Sequence, residues 1–430
     1  LIAAALAIAA IALHLIRQGK PDTEDSLAAQ FGLGGPRLPI FVIAALLWIA
    51  LALILLLGLF GLIFQTLTAT STENYLFYVL RIAGLTTVLG AVIALPFTII
   101  RLQLTQQQTR NQQESLFNDK INEATKGLYA RRQVTLGEGT EAKDHWQDNI
   151  IQRNAAIDRL EGLAQEKPEE TSRIARLLAS YLVELSAQVR AVPDPKDASA
   201  ENLESWVYEL PPARSDMEKA AQTLGRLSNV SPLTAKDLNL RGANLQCVDL
   251  SGADLMNARL EGANLHGASL HRANLHRAIL VGAKLQHAIL EDADLRYANL
   301  QAAKLSGANL RDANLVNAQM TQVDTRRADL RGANLARSVC RVANFSDALL
   351  VESNLSGTNL QGANLEGTDL AGTILENANL RGATLANANW FGTKVQGADF
   401  RGATIDPSAV GLMIGKATLP KGWDKDIPNP

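Results

Sequence analysis

The sequence predicts a chain of several domains: N-terminal transmembrane α-helices, an α-helical connector and a C-terminal parallel β-solenoid built from five-residue units. Three observations predict it. Residues 38–64 form an unbroken run with no charged or polar side chain. From Arg101 to Pro232 the composition turns polar and helix-favouring. From Leu240 to Ile405 every fifth residue is apolar, with Thr325 the single exception. The expected divisions are 1–100 (membrane region), 101–232 (helical connector), 233–405 (solenoid) and 406–430 (cap and tail).

The run 38–64 exceeds the ~20 residues that cross a hydrocarbon core, and its backbone is satisfied in lipid only as a helix. A further span is expected over 82–100, bounded by Arg81 and Arg101 and containing Pro96, which bilayer helices tolerate. Arg81 sits at the span's end, where its long stem reaches the interface. Leu1–Ile16 is apolar apart from His14. Sixteen residues rise only ~24 Å, so residues are expected to precede Leu1 and complete a third span. Orientation follows from flanking basic residues. Arg17, Lys20 and Arg37 lie before the second span and Arg101, Arg110, Lys120, Lys126, Arg131 and Arg132 after the third, whereas Gln65–Tyr75 carries none. The first loop and the C-terminal part are therefore expected in the cytoplasm, with the spans in a bacterial inner membrane.

Beyond Arg101 the last span is expected to continue as a helical stalk, since Phe117, Ile121, Ala124 and Leu128 fall at helical spacing. A break at Gly137 and Gly139 precedes two antiparallel helices. Trp146, Ile150, Ile157, Leu160 and Ala164 mark the first, and Ile174, Leu178, Tyr181 and Leu185 the second. Lys167 and Pro168 separate them. After a loop over Val192–Pro212, a last helix opens at Ser215, with Glu218 placed for a capping box, and buries Met217, Ala221 and Leu224. Residues 101–232 hold 17 basic and 20 acidic side chains, a mixed surface without the basic stripe of a nucleic-acid reader.

In the repeat, 26 of the 34 fifth positions are Leu. Two residues earlier stands Ala in 25 of 33 cases, and one residue earlier Asn or Asp in 20 of 33. Period five fits neither helix nor simple strand. A fixed short period signals a solenoid, each unit burying its face against its neighbours. The large residue is expected inside, Ala in the crowded corner, and Asn or Asp outside, bonding local backbone. Gly two positions after the large residue eases the turn.

Segments such as Gly362-Ala363-Asn364-Leu365-Glu366-Gly367-Thr368-Asp369-Leu370 resemble the pentapeptide repeat family, A(D/N)LXX. The resemblance implies a right-handed quadrilateral β-helix with four units per coil, hence eight to nine coils and a rod roughly 40 Å long at ~4.8 Å per coil. The elements Arg81–Arg101, Asp144–Leu185 and Arg214–Arg226 also resemble a membrane-anchored bacterial subset of that family, for which no biochemical activity is implied. The register weakens at Met320, Val323, Thr325, Ser338, Cys340 and Phe345, where a bulge or repacking is expected, a partner-binding face being the sharper alternative. Trp390, Val395, Phe400 and Ile405 thicken the core at the end, and Ser408–Ile414 is expected to cap it.

No catalytic, cofactor or metal residue is predicted. His266, His271 and His276 are five apart and fall on successive sides, while stacked neighbours stand 20 apart, at Gln286, Glu291 and Arg296. His271, Glu291, Arg311 and Arg331 share one ladder, read as exposed charge. Cys247 and Cys340 offer no disulfide framework or zinc spacing, and Cys340 reads as core.

The leading functional expectation is a non-enzymatic scaffold presenting its rod to a protein partner beneath the lipid bilayer. The alternative is a subunit of an oligomeric channel, transporter or defence complex, with self-association left open. Some soluble pentapeptide proteins protect type II topoisomerases by mimicking acidic DNA. Lys236–Arg401 carries 17 basic and 16 acidic residues, so nucleic-acid mimicry or binding is not expected.

Overall fold

The computed structural model describes residues 37–68, 72–136, 143–189, 191–193, 205–206, 209–406 and 411–418. The expected span 1–16, Gly137 and Gly139 and the tail beyond 418 lie outside the described residues. The chain divides into two compact units, residues 1–117 and 118–430.

In the first unit, α1 (Arg37–Thr68) and α2 (Thr72–Leu128, its last turns in the second unit) contain the apolar runs 38–64 and 82–100. Both are long and apolar enough to cross a membrane, with windows of mean hydropathy 2.9 and 2.1 that stay almost wholly unburied. Pro96 lies inside α2 without ending it. Trp48 Nε1 donates to the Val92 carbonyl at 2.9 Å, tying the two helices. Arg81 sits 4.3 Å above the Phe77 ring, a cation–π contact that gives this cation a partner on its own helix.

In the second unit, a hairpin of β1 (Arg131–Leu136) and β2 (Lys143–Asp148) precedes α3 (Ile150–Glu166), α4 (Thr171–Gln188) and α5 (Ser215–Leu227). Two expectations are corrected. Trp146 belongs to β2, paired with Gln133 and 61% exposed, so α3 begins only at Ile150, with Asn149 as its N-cap. Its spacing to Ile150 was helical by coincidence. Nor does Ser215 form a capping box: the N-cap is Arg214, whose side chain makes no capping bond. Instead Arg214 grips Asp216 inside the first turn. The apolar faces meet as their spacing dictates. Ile157, Leu160, Ile174, Leu178, Leu182 and Leu224 are fully buried, and Gly127 lets α2 approach Ala156, where an added Cβ would stand 2.8 Å away.

From 239 onward the chain is a parallel solenoid. Isolated parallel bridges join residues 20 apart, Asn239 to Arg259, Asn244 to Asn264 and onward through Asn379 to Asp399. Four five-residue segments therefore make one coil, and residue i stacks beneath i+20. The segment around Leu265 shows why the sequence takes this form. Its five N–H groups all find acceptors: Ala263 to Leu260 O, Asn264 to Ala243 O of the coil before, Leu265 and Gly267 to Lys284 O and Gln286 O of the coil after, and His266 to Asn264 Oδ1. Every backbone donor of this segment is thus satisfied, and where Asn or Asp precedes the inward residue its side chain serves the one donor that the ladder misses.

The corner two residues after each inward position is left-handed throughout. From 242 to 402 it is taken by 15 glycines and by 18 other residues, such as Tyr297 (φ 59°) and Val342 (φ 53°). Glycine eases this corner without being required. Inside, Leu245, Leu265, Leu285 and the residues stacked on them as far as Leu385 are 0% exposed.

The weakened register holds no bulge. Gln319 bridges Val339 and Asp324 bridges Asn344 at the unchanged spacing of 20. Volumes compensate instead: Met320 stacks on Cys340 (Sδ to Sγ 3.9 Å), small Thr325 lies beneath Phe345, and Val323 replaces the usual Ala beside Thr325. Hydroxyls at corner positions are satisfied as well. Thr358, Thr368, Thr373 and Thr393 each donate to a carbonyl 23 residues back. At the far end Trp390 and Phe400 meet edge to face across the interior, 5.8 Å apart. Beyond Ile405, β4 (Met413–Ile414) pairs in parallel with β3 (Thr393–Lys394). Leu412 and Ile414 stay exposed, so this segment extends the stack without burying those side chains over it.

Candidate interaction surface

The solenoid's outward side chains stand in fixed files, since each bridge fixes the residue 20 positions on. At the N-terminal end some files are covered. α5 lies on the first coils: Asp254 N donates to Gly225 O at 3.1 Å, and Gly225 faces Ala253 so closely that an added Cβ would stand 2.5 Å from its Cβ. Gln246 exchanges hydrogen bonds with Val192, and Asn244 donates to Ser186 Oγ and to the Val189 carbonyl. Trp206 packs edge to face on fully buried His266, ring centres 5.2 Å apart. Of the predicted histidine trio, His276 meets Tyr297 at 5.5 Å and His271 is half-buried. The structure brings no two of them together. Among the described residues no group of three His, Cys, Asp or Glu side chains is placed to hold a metal ion.

Charges on the faces pair locally. Where Asp precedes an inward residue and Arg follows it, the guanidinium folds back onto the carboxylate: Asp294 with Arg296, Asp324 with Arg326, Asp329 with Arg331 and Asp399 with Arg401. The hydrogen bond from Arg296 holds the Asp294 carboxyl below the usual range against the pull of burial. In the ladder predicted from His271 to Arg331, Glu291 accepts from Asn309 and Arg331 turns to Asp329. Both contacts run sideways to the file of Asn309 and Asp329 and not along the ladder. Cys340 is wholly buried, and burial pushes its thiol up to about 12, which suits core and not nucleophile.

A polar cluster that the sequence did not reveal knits the helical base. Arg214 binds Asp216 and Asp148, buried Arg153 reaches the same two carboxylates, and Tyr181 donates to Asp216 at 2.8 Å. Burial pushes the Asp216 carboxyl up, but hydrogen bonds from Arg214 and Tyr181 outweigh it and hold the group below the ordinary range. Every charge has its opposite, so the cluster reads as a structural clasp of β2, α3, α4 and α5. Nearby, Arg176 and Ser172 bind Asp237, joining α4 to the first coil. A 440 Å³ groove there is lined by Arg176, Ser180, Val183, Glu184, Lys236 and Asn239. Its charges are mixed.

Stacked five-residue segments, inward Leu and files at a spacing of 20 define a solenoid of pentapeptide repeats. A family model described as Pentapeptide repeats matches residues 236–272, 253–292, 293–332, 326–362, 338–377 and 375–405. The chain belongs to the pentapeptide repeat family. It is similar to HetL, a pentapeptide repeat protein involved in heterocyst differentiation regulation from the cyanobacterium Nostoc sp. PCC 7120, at 32% identity over 46% of this chain and 84% of that one, with a TM-score of 0.34. It is similar at 20% identity to QnrB1, a plasmid-mediated fluoroquinolone resistance protein, over 39% of this chain and 78% of that one, TM-score 0.29. Rfr23 from the cyanobacterium Cyanothece 51142 is 40% identical over 23% of this chain and 64% of that one, TM-score 0.17. A comparison with curated proteins finds no match.

Proposed function

We propose that the chain is a non-enzymatic, membrane-anchored scaffold whose solenoid, a right-handed four-sided β-helix in the cytoplasm of a bacterium, presents its side-chain files to a protein partner. One observation carries the reading: rigid files of outward side chains, spaced 20 apart in sequence, are covalently joined to two helices whose apolar surface finds no cover among the described residues. Stiff surfaces lose little conformational freedom on binding, and the anchor restricts the search to two dimensions. Catalysis is not part of the reading, because Asp294, Asp324, Asp329 and Asp399 are each engaged by the arginine two residues on. DNA mimicry fits poorly, because 17 basic residues offset 16 acidic ones from Lys236 to Arg401.

The test uses the full chain in bacterial membranes. It is expected to resist carbonate extraction and to lose its solenoid to protease in inverted vesicles but not in intact spheroplasts. Cleavage in spheroplasts would overturn the orientation, and extraction by carbonate the anchor. Affinity capture of the intact protein in detergent, with surface-charge variants as controls, would then identify partners that depend on the rod.

A further inference from the structure

Stacking gives each coil the coil before it as a partner, and the first coil has none. In mid-rod the residue ahead of each inward position spends both backbone groups on that earlier coil: Asn264 N donates to Ala243 O, and Asn264 O accepts from Leu245 N. On the first coil the corresponding residues are Asn239, Asn244, Asp249 and Asp254. The helical base serves two of their four N–H groups, Asn244 N donating to Ser186 Oγ and Asp254 N to Gly225 O. Asn239 and Asp249 are exposed, and neither the N–H nor the carbonyl of either finds a hydrogen-bond partner among the described residues. The Arg241 carbonyl is unclaimed in the same way. Of these two rim positions, Asn239 lines the 440 Å³ groove beside α4 and Asp249 does not. Arg176, Ser180 and Glu184 recur at every fourth residue along the groove wall, a length of ~12 Å. Ala179 and Val183 add apolar surface between them. Arg176 is held by Asp237 and Glu184 by Tyr129, whereas Lys236 makes no ion pair among the described residues.

We propose that this groove binds an extended peptide segment of a partner protein, which pairs in parallel with Asn239 as one more strand ahead of the first coil. The solenoid's own ladder sets the register. A peptide carbonyl takes the Asn239 N–H, and two peptide N–H groups reach the carbonyls of Asn239 and Arg241, as Leu245 and Cys247 reach those of Asn264 and His266. Four residues in a strand span ~13 Å, which matches the groove wall. Apolar side chains of the peptide meet Ala179 and Val183, and an acidic one pairs with Lys236. In strand addition to an open sheet edge, main-chain hydrogen bonds supply the affinity and side chains the selectivity. The site uses the rim of the rod and not its outward files, so it is additional to the surface proposed above.

Random heptapeptides displayed on phage, panned against the full chain in nanodiscs, supply the probe. Enriched sequences are synthesised and titrated by fluorescence anisotropy. They are expected to carry an acidic residue among apolar ones, and to bind at least tenfold more weakly once their backbone is N-methylated. Asn239→Pro removes an N–H that no described group accepts, so it is expected to keep the thermal midpoint and weaken binding at least tenfold. Asp249→Pro, the same change at the other open rim position, is expected to leave binding unchanged. Lys236→Glu is expected to weaken it, and a peptide with Lys in place of its acidic residue to bind that variant again, which also shows that the variant folds. No enrichment over empty nanodiscs, binding indifferent to N-methylation or to Asn239→Pro, or an equal loss from Asp249→Pro would overturn the site. Self-association of the wild-type chain that Asn239→Pro abolishes would assign the rim to a second copy and overturn it as well.

Discussion

Where Asn or Asp precedes an inward residue, its side chain supplies the acceptor for the one backbone N–H that coil stacking leaves over. In the segment of Leu335, Asn334 Oδ1 accepts from Ala336 N at 3.1 Å. Asn334→Ala is expected to cost about 1 kcal/mol, the net worth of one such bond, read as a lower midpoint in urea. Asp216 is a different kind of residue, a buried carboxylate held ionised by Arg214 and Tyr181. Its folded pKa lies below its unfolded value. Its stabilisation is therefore complete above the ordinary carboxylate pKa of ~3.9 and is lost as pH falls through the depressed folded value. Urea midpoints of wild type and Asp216→Asn are expected to differ at pH 7 and to converge in acid. A constant difference down to pH 2 would show that Asp216 acts by shape and not by charge.

At the scale of elements, two glycines separate tight contact from mere tolerance. Gly225 of α5 touches Ala253, whereas Gly162 of α3 has nothing within 4 Å. Gly225→Ala is expected to destabilise by about 1–3 kcal/mol through overpacking, and Gly162→Ala to stabilise by about 0.5–1 kcal/mol through helix propensity; thermal unfolding distinguishes them. The same elements show what could be read from sequence. Inward Leu, corner Ala and outward Asn were legible because the solenoid repeats one local bargain 34 times, and α4 was legible from Ile174, Leu178, Tyr181 and Leu185. The β1–β2 hairpin was not. Its strands, Arg-Arg-Gln-Val-Thr-Leu and Lys-Asp-His-Trp-Gln-Asp, contain few apolar residues to alternate, and Trp146 happened to fall at helical distance from Ile150. The clasp of Arg153, Arg214, Asp148 and Asp216 was hidden for another reason. Its members lie up to 68 residues apart in sequence and become partners only when three helices meet. The candidate surface was legible as files but not as a patch, because covering by α5 and Trp206 depends on how the base folds onto the first coils.

For the whole molecule, the two units follow different physics. The first has apolar helices whose side chains, such as Leu57, Phe60 and Phe64, stay exposed, and both helices are long and apolar enough to cross a membrane. The second buries its own core and repeats one contact pattern, so its stability is close to a sum over neighbouring coils. Leu310→Ala, in mid-stack and fully buried, is expected to cost about 2–5 kcal/mol. Hydrogen exchange is expected to show the loss concentrated in the coils touching Leu310, with the α3–α4 pair little changed.

The spacing of 20 between stacked residues turns the rod into an indexing device. Excising Val281–Leu300 would remove one coil and return every later side chain to its former bearing relative to α5. Excising Val281–Leu285 would leave a rod equally well bonded but rotate everything downstream by a quarter turn. Excising three residues would set Ala where Leu belongs and destroy the stack, visible as lost strand signal in circular dichroism. Growth or loss in fives can therefore re-aim such a rod at its surroundings without rebuilding its interior, as a turret turns on a fixed mount.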